Sequence, residues 1–251
     1  MMLRAQDLSL WRDGNQVLDR VTVDLNPGEV TAIVGPNGAG KSSLLLSLSG
    51  LLRPFLGTVA LGGSDLNRMA PRERAQRIGY LPQDTEIAWD VAVENLVALG
   101  RMPHRDRAAE PVERAIETMD LQALRDRPAS RLSGGEKARA LLARVLAGEP
   151  DWILADEPLA ALDLAHQQSL VSHLRTQADA GKGVVIVLHD LAHAMNNADR
   201  VVVLREGRIA SDGPPQAALN AQVIANVWGV QSRWISDPHE PGRHALVTHV
   251  P

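Results

Sequence analysis

The sequence predicts an α/β fold with a helical lobe inserted into it. Three observations carry that expectation. The apolar runs EVTAIVG, WILADEP and VVIVLHD read as strands buried on both faces. The glycine-rich segment GPNGAGKSS follows the first of them and passes directly into an apolar helical pattern. From about Asp84 to about Arg131 the strand pattern stops, and short helical patterns punctuated by Pro103, Pro111 and Pro128 replace it.

Along the chain, LSLW and VTVDL alternate as half-buried strands do. EVTAIVG is the first fully buried strand. The next segment, LLLSLSGLL, places Leu44, Leu45, Leu48, Leu51 and Leu52 at helical spacing. GTVALGGSDL reads as a hairpin. Val112, Ala115, Ile116 and Met119 recur at helical spacing in the inserted region. Leu132–Glu136, LSGGE, is a serine and two glycines opening onto a helix whose Ala138, Leu141, Leu142, Val145 and Leu146 share one face. WILADEP and VVIVLHD are further buried strands, and RVVVLREGRIASDG is a strand pair around Glu206 and Gly207. The tail from about Pro214 reads as one helical segment followed by polar, proline-containing residues.

Composition narrows the function. The 251 residues suffice for one large domain or two small lobes. Hydrophobic residues make up 45% and charged residues 22%, a soluble globular profile. A net charge of -4 gives no support for a nucleic-acid surface, and one Tyr with one Phe offers no base-stacking platform. The absence of cysteine removes disulfides, thiolate metal sites and iron–sulfur clusters. The first residues lack the apolar centre of a signal peptide, and no stretch approaches the ~18 apolar residues of a membrane span. A cytosolic protein that meets a membrane through a partner is expected. The eight histidines show no convincing metal-ligand spacing. The basic run Arg101, Arg105 and Arg107 reads as a solvated surface of the helical lobe.

GPNGAGKS, Gly35 to Ser42, matches G-x-x-x-x-G-K-[ST] in full, between a strand and a helix. Gly35, Pro36, Asn37, Gly38, Ala39 and Gly40 form a loop whose backbone N–H groups can converge on phosphate oxygens. Lys41 adds charge at the β and γ phosphates, and the Ser42 hydroxyl suits Mg²⁺. The motif specifies nucleotide phosphate without choosing among kinases, GTPases and motors. Asp156 and Glu157 stand at the end of a buried strand, where parallel sheets bind ligands. Asp156 is placed to serve Mg²⁺, and Glu157 to orient and polarise an attacking water. His189 ends its own strand in the same way and suits a γ-phosphate contact. Gln83 carries amide chemistry fit for Mg²⁺ and a water, or sits in an ordinary loop. A Ser-Gly-Gly turn at a helix N-terminus is a second phosphate-facing element.

The ordered set GPNGAGKS, LPQ, LSGGE, ILADEPLAALD and VLHD resembles the nucleotide-binding subunit of ATP-binding cassette (ABC) transporters, over nearly the whole chain. The resemblance implies a P-loop NTPase core with an antiparallel β subdomain and an inserted α-helical subdomain. The expected α/β lobe is 1–83 with 151–251, and the expected helical lobe is 84–150. It implies ATP and Mg²⁺ as cofactors, with Ser42, Gln83 and Asp156 at the metal and Ser43 beside them. Catalysis would fall to Glu157, Gln83 and His189. Two copies would dimerise head to tail, each ATP lying between the P-loop of one and Leu132, Ser133, Gly134, Gly135 and Glu136 of the other. Asp163 would lie on the dimer-facing loop.

The implied partners are a second copy, two transmembrane permease subunits and a substrate-binding protein, with no nucleic acid. The implied location is the cytoplasmic face of the inner membrane. YLPQDTEIAWDVAVENLVALGRMPH and ILADEPLAALDLAHQ are most similar to importers of iron chelates, haem and vitamin B12 (cobalamin). Exporter subunits, soluble cassettes acting on DNA or ribosomes, and small-molecule kinases are the competing classes. Departures from the family pattern are Ser43 in place of threonine, and Leu159 and Ala160 in place of hydroxyl residues. At the adenine, Arg12 aligns with the usual tyrosine and Trp11 precedes it, so either is a candidate to cover the ring.

Overall fold

The computed structural model describes residues 1–83, 90–106, 108–160, 162–240 and 242–249. The chain runs through β1 (Leu3–Arg12), β2 (Asn15–Leu25), β3 (Val30–Val34), α1 (Lys41–Leu48), β4 (Leu56–Leu61), β5 (Ser64–Asp65), α2 (Pro71–Arg77) and β6 (Ile78–Leu81). Next come α3 (Val93–Ala98), α4 (Ala109–Thr118) and α5 (Gly134–Ala147), with short 3₁₀ turns between them. The remainder is β7 (Trp152–Asp156), α6 (Leu164–Asp179), β8 (Gly183–Val187), α7 (Leu191–Asn197), β9 (Arg200–Arg205) and β10 (Arg208–Gly213). It closes with α8 (Pro215–Ala218), α9 (Ala221–Trp228), β11 (Gln231–Ser236) and β12 (His244–His249).

A six-stranded sheet in the order β10-β9-β3-β8-β7-β6 forms the centre. Strands β9, β3, β8, β7 and β6 are parallel, and β10 closes one edge antiparallel. Every residue of β3, β7 and β8 is buried, which is why these strands read as unbroken apolar runs. A four-stranded antiparallel sheet, β2-β1-β4-β5, covers one face. Between the two sheets lies a core that includes Leu44, Leu45 and Leu48 of α1 and the buried Trp152. The Trp152 indole N–H donates to Met1 O at 2.9 Å. Its ring lies beside Gly183, its register partner, where a Cβ would come within 2.3 Å. The opposite face carries a second core built with α3, α4, α5 and α6. Among the described residues no helix is long and apolar enough to cross a membrane.

Three expectations change. Helix α1 ends at Leu48, before Leu51 and Leu52. Gly50 takes φ +70°, its N–H bonds Ser47 O, and Leu51 N–H bonds Leu46 O. That is a Schellman stop, and it turns Leu51 out to 60% exposure. Arg101 is not part of a solvated surface but is 7% exposed. Its guanidinium donates to Asp106, to Glu149 at 2.9 Å and to Ala147 O at 3.1 Å, pinning the start of the helical region to the end of α5. Arg105 is exposed, and Arg107 lies outside the described residues. The tail holds two helices and a hairpin, where the sequence shows one helical segment and leaves the order of the remaining residues open. Trp234 of β11 donates to Leu219 O at 2.7 Å, and Asn196 of α7 exchanges two hydrogen bonds with the His244 backbone. These contacts dock the hairpin on the domain.

Candidate functional site

The P-loop spans the turn from β3 into α1. Gly35 has φ +155°, and a Cβ there would stand 2.2 Å from Leu204 O. Gly40 has φ +98°, and its Cβ would stand 2.5 Å from Val17 O. Glycine is required at both positions by close backbone approach. Lys41 is 5% exposed. Its ammonium donates to Gly35 O at 2.9 Å and Pro36 O at 3.0 Å, cross-bracing the loop. Burial lowers its pKa below the usual 10.5, and the Glu157 and Asp156 carboxylates oppose that shift.

Parallel pairing brings three strand ends to this loop. Asp156 closes β7 and is 4% exposed. Ser42 Oγ donates to its Oδ1 at 3.1 Å, and Tyr80 Oη faces its Oδ2 at 3.4 Å. Burial raises the Asp156 carboxyl above its ordinary 3.8, while the Ser42 bond pulls it back. Glu157 follows at φ +48°. Gln83 Nε2 donates to Glu157 Oε2 at 2.6 Å, and His189 Nε2 stands 2.5 Å from Oε1. Gln83 and His189 thus converge on the Glu157 carboxylate at the mouth of the P-loop. The cleft they share is lined by Asn37, Gly38, Ala39, Gly40, Lys41, Ser42 and Ser43, and by Arg12 and Val17.

Arg12 and Trp11 separate because successive strand residues point to opposite faces. Arg12 faces the cleft. Trp11 packs edge-on against Phe55 with ring centroids 5.2 Å apart. Leu132–Glu136 forms the entry to α5. Ser133 is its N-cap: its hydroxyl accepts from Glu136 N–H at 3.3 Å, and Glu136 Oε2 accepts from Ser133 N–H at 2.8 Å. Glu136 therefore serves this reciprocal cap, and the N–H groups of Gly134 and Gly135 open the helix. Asp163 caps α6. The apolar Leu159, which stands where a hydroxyl was expected, is 7% exposed and anchors the loop in the core.

Tyr80 escaped the motif reading. It is the chain's single tyrosine, it lies in β6 beside β7, and burial with the nearby Asp156 pushes its pKa up to about 12. A lone tyrosine inside an apolar strand needs a partner for its hydroxyl, which was the available signal. At the mouth of the P-loop stand the Asp156 carboxylate, the Ser42 hydroxyl that bonds it, and the Gln83 amide across the same cleft. All are hard oxygen ligands, the partial shell suited to Mg²⁺ that completes its coordination on phosphate. Among the described residues no cluster of His, Cys, Asp or Glu forms a self-contained metal cage.

A P-loop, a buried strand-end aspartate and a glutamate held by glutamine and histidine define an ATPase cassette. The chain belongs to the ABC transporter family, whose match covers residues 18–160. The hemin import ATP-binding protein HmuV of Rhodococcus jostii is 44% identical, over 94% of this chain and 82% of that protein. Its namesake in Myxococcus xanthus is 40% identical, over 96% of this chain and 95% of that protein. An ABC transporter in an inward-facing conformation superposes with a TM-score of 0.85 at 25% identity, covering 99% of this chain and 97% of that one. A dimeric cassette in a post-hydrolysis state, bound to ADP and Pi, superposes with a TM-score of 0.76 at 25% identity, covering 85% and 98%. The chain is an ABC-type ATPase.

Proposed function

We propose that this ATPase is the motor subunit of a haem importer, working as a dimer beneath two membrane permease subunits. The observation that carries the catalytic reading is the convergence of Gln83 and His189 on Glu157 beside the P-loop. Glu157 accepts a proton from the attacking water. Gln83 and His189 fix its two oxygens so that the carboxylate is oriented before ATP arrives. Lys41 and the loop N–H groups hold the β and γ phosphates. Ser42, Asp156 and Gln83 would hold Mg²⁺, which supplies charge neutralisation on the phosphates. Arg12 covers the adenine with its guanidinium plane, since Trp11 is engaged by Phe55.

The turn Leu132–Glu136 serves the partner's ATP. Its preformed N-terminal donors gain most of their interaction when a γ-phosphate arrives between two protomers. Closure is then the bistable step that nucleotide biases. The cargo rests on the hemin-import relatives, which match this chain over nearly all its length. The permease places the protein on the cytoplasmic face of the membrane, and a substrate-binding protein delivers haem from the other side.

A tagged copy purified from detergent-solubilised membranes of its source tests this reading. A polytopic permease should copurify, and ATP turnover by the reconstituted complex should rise with haem-loaded binding protein. Recovery of ribosomal or DNA-repair proteins without a permease would refute transport. Stimulation by an iron chelate or cobalamin, and not by haem, would refute the cargo.

A further inference from the structure

The loop between Glu157 and α6 is held by two neighbouring side chains. Gln167 Nε2 donates to Leu159 O and Leu162 O, both at 3.1 Å. Asp163 Oδ1 accepts the His166 backbone N–H at 2.9 Å. The same oxygen lies 2.6 Å from His166 Nδ1. An ionised carboxylate only accepts, and these bonds hold the Asp163 carboxyl below its usual range. The geometry therefore suits the tautomer that donates from Nδ1, and the ring's orientation is set from that side.

The other edge of the ring lies against the α5 entry. A Cβ built on Gly135 would stand 2.3 Å from His166 Cδ2 and 2.6 Å from Nε2. Gly135 is buried and does not occupy the left-handed region. Backbone conformation therefore does not demand glycine here. A side chain here would have to displace the imidazole, which fills that space.

We propose that His166 is a positioning residue that clamps the Ser133–Gly135 turn to the Asp163 loop of the same protomer. The two elements then meet the partner's nucleotide site as one rigid unit. This rests on the reading of Leu132–Glu136 as the element that binds the partner's ATP. His166 touches no phosphate. It fixes where the Gly135 N–H stands relative to the Asp163 cap, so its loss lowers the fraction of protomers able to close.

The test is ATP-driven dimerisation of the full chain in a Glu157→Gln background, by sedimentation velocity over a protein concentration series. His166→Ala should weaken the dimer about tenfold, which is what a fall of the closure-competent fraction to about one third in each of two protomers gives. His166→Asn places an amide donor where Nδ1 stands and should recover dimerisation to within about threefold. His166→Gln places its amide nearer Nε2 and should not recover it. Binding of a fluorescent ATP analogue to the monomer should be unchanged in all three, and each should remain folded at the assay temperature. An alanine variant that dimerises like its parent, or an asparagine variant no better than alanine, would overturn the clamp. So would an equal loss of monomer nucleotide binding. A Glu157→Gln parent that stays monomeric with ATP sinks the trans-site reading as well, and it does so without any change at His166.

Discussion

Replacing Asp156 by asparagine should stabilise the nucleotide-free protein and weaken its response to nucleotide. Asp156 is 4% exposed, and burial is the largest influence raising its pKa. The Glu157 carboxylate adds to that shift, whereas Ser42, Tyr80 and Lys41 oppose it. At neutral pH the folded chain therefore holds an ion that its surroundings disfavour. Asparagine has the same shape. Its oxygen can accept from one hydroxyl, and its N–H₂ can donate to the other, so both contacts survive with one reversed. What disappears is the desolvation cost of the charge. We expect a gain of about 1–2 kcal/mol, the lower part of the range for replacing buried ion pairs by uncharged residues of similar volume, because Lys41 keeps the Glu157 carboxylate as its counter-charge. For a chain of this size that is about 2–8 °C in Tm.

The pH dependence has a defined sign. A carboxyl with a raised folded pKa binds its proton more tightly when folded, so ionisation erodes stability as pH rises above the unfolded value. The advantage of asparagine is full above the folded pKa, shrinks as pH falls through it, and vanishes below about pH 4. Adding Mg²⁺ and a non-hydrolysable ATP analogue at a hundredfold excess over Kd should stabilise the parent by about 2.7 kcal/mol. The variant, lacking a metal-binding carboxylate, should gain less. Scanning calorimetry at neutral and acid pH, with and without the analogue, reads both effects. A ligand-free parent that melts above the asparagine variant at neutral pH would refute the argument from buried charge. Equal gains with Mg²⁺ and analogue would refute the metal role.

Glu157→Gln should lower ATP turnover by about 10²–10⁴ while nucleotide binding persists, because Gln83 can flip its amide to meet the new one. Turnover within threefold of the parent would remove Glu157 from the reaction. Tyr80→Phe should leave nucleotide binding near the parent's but raise the Mg²⁺ concentration needed for half-maximal turnover, since one hydroxyl facing Asp156 is lost. An unchanged Mg²⁺ titration would show that the hydroxyl does not orient that carboxylate. Gly40→Ala should cost about 1–2 kcal/mol for the left-handed backbone and about 1–3 more for the clash with Val17 O. Denaturant unfolding checks it, and a neutral result would refute the close approach. Arg101→Ala should destabilise the protein by about 2–4 kcal/mol through lost charged hydrogen bonds and packing. The solvated-surface reading would instead give almost no change in denaturant midpoint.

The parts of the site that were legible in sequence are those with local chemical requirements. Gly35 and Gly40 sit where a backbone must pass close to another, and no other residue serves. The apolar runs ending at Val34, Asp156 and Val187 announce strands buried on both faces, and their ends mark where Asp156, Glu157 and His189 emerge. What was misread depends on partners distant in the chain. Arg101 looks like a surface cation until Glu149 and Ala147 O are brought to it by α5. Leu51 is the local exception, continuing a helical spacing that the adjacent Gly50 has already ended. The tail's polar composition hides a hairpin because its order comes from Leu219 and Asn196, not from its own apolar face.

The sequence by itself determined the phosphate loop, the carboxylate pair and the strand–helix order, because each rests on the stereochemistry of a few adjacent residues. Only the tertiary structure decided that Arg12 rather than Trp11 faces the cleft, that Tyr80 stands beside Asp156, and that His166 fills the space at Gly135. Those outcomes depend on strand pairing and on which face of an element a neighbour covers. Such contacts join residues far apart in the chain, and their distances are set by the packing of whole sheets and helices.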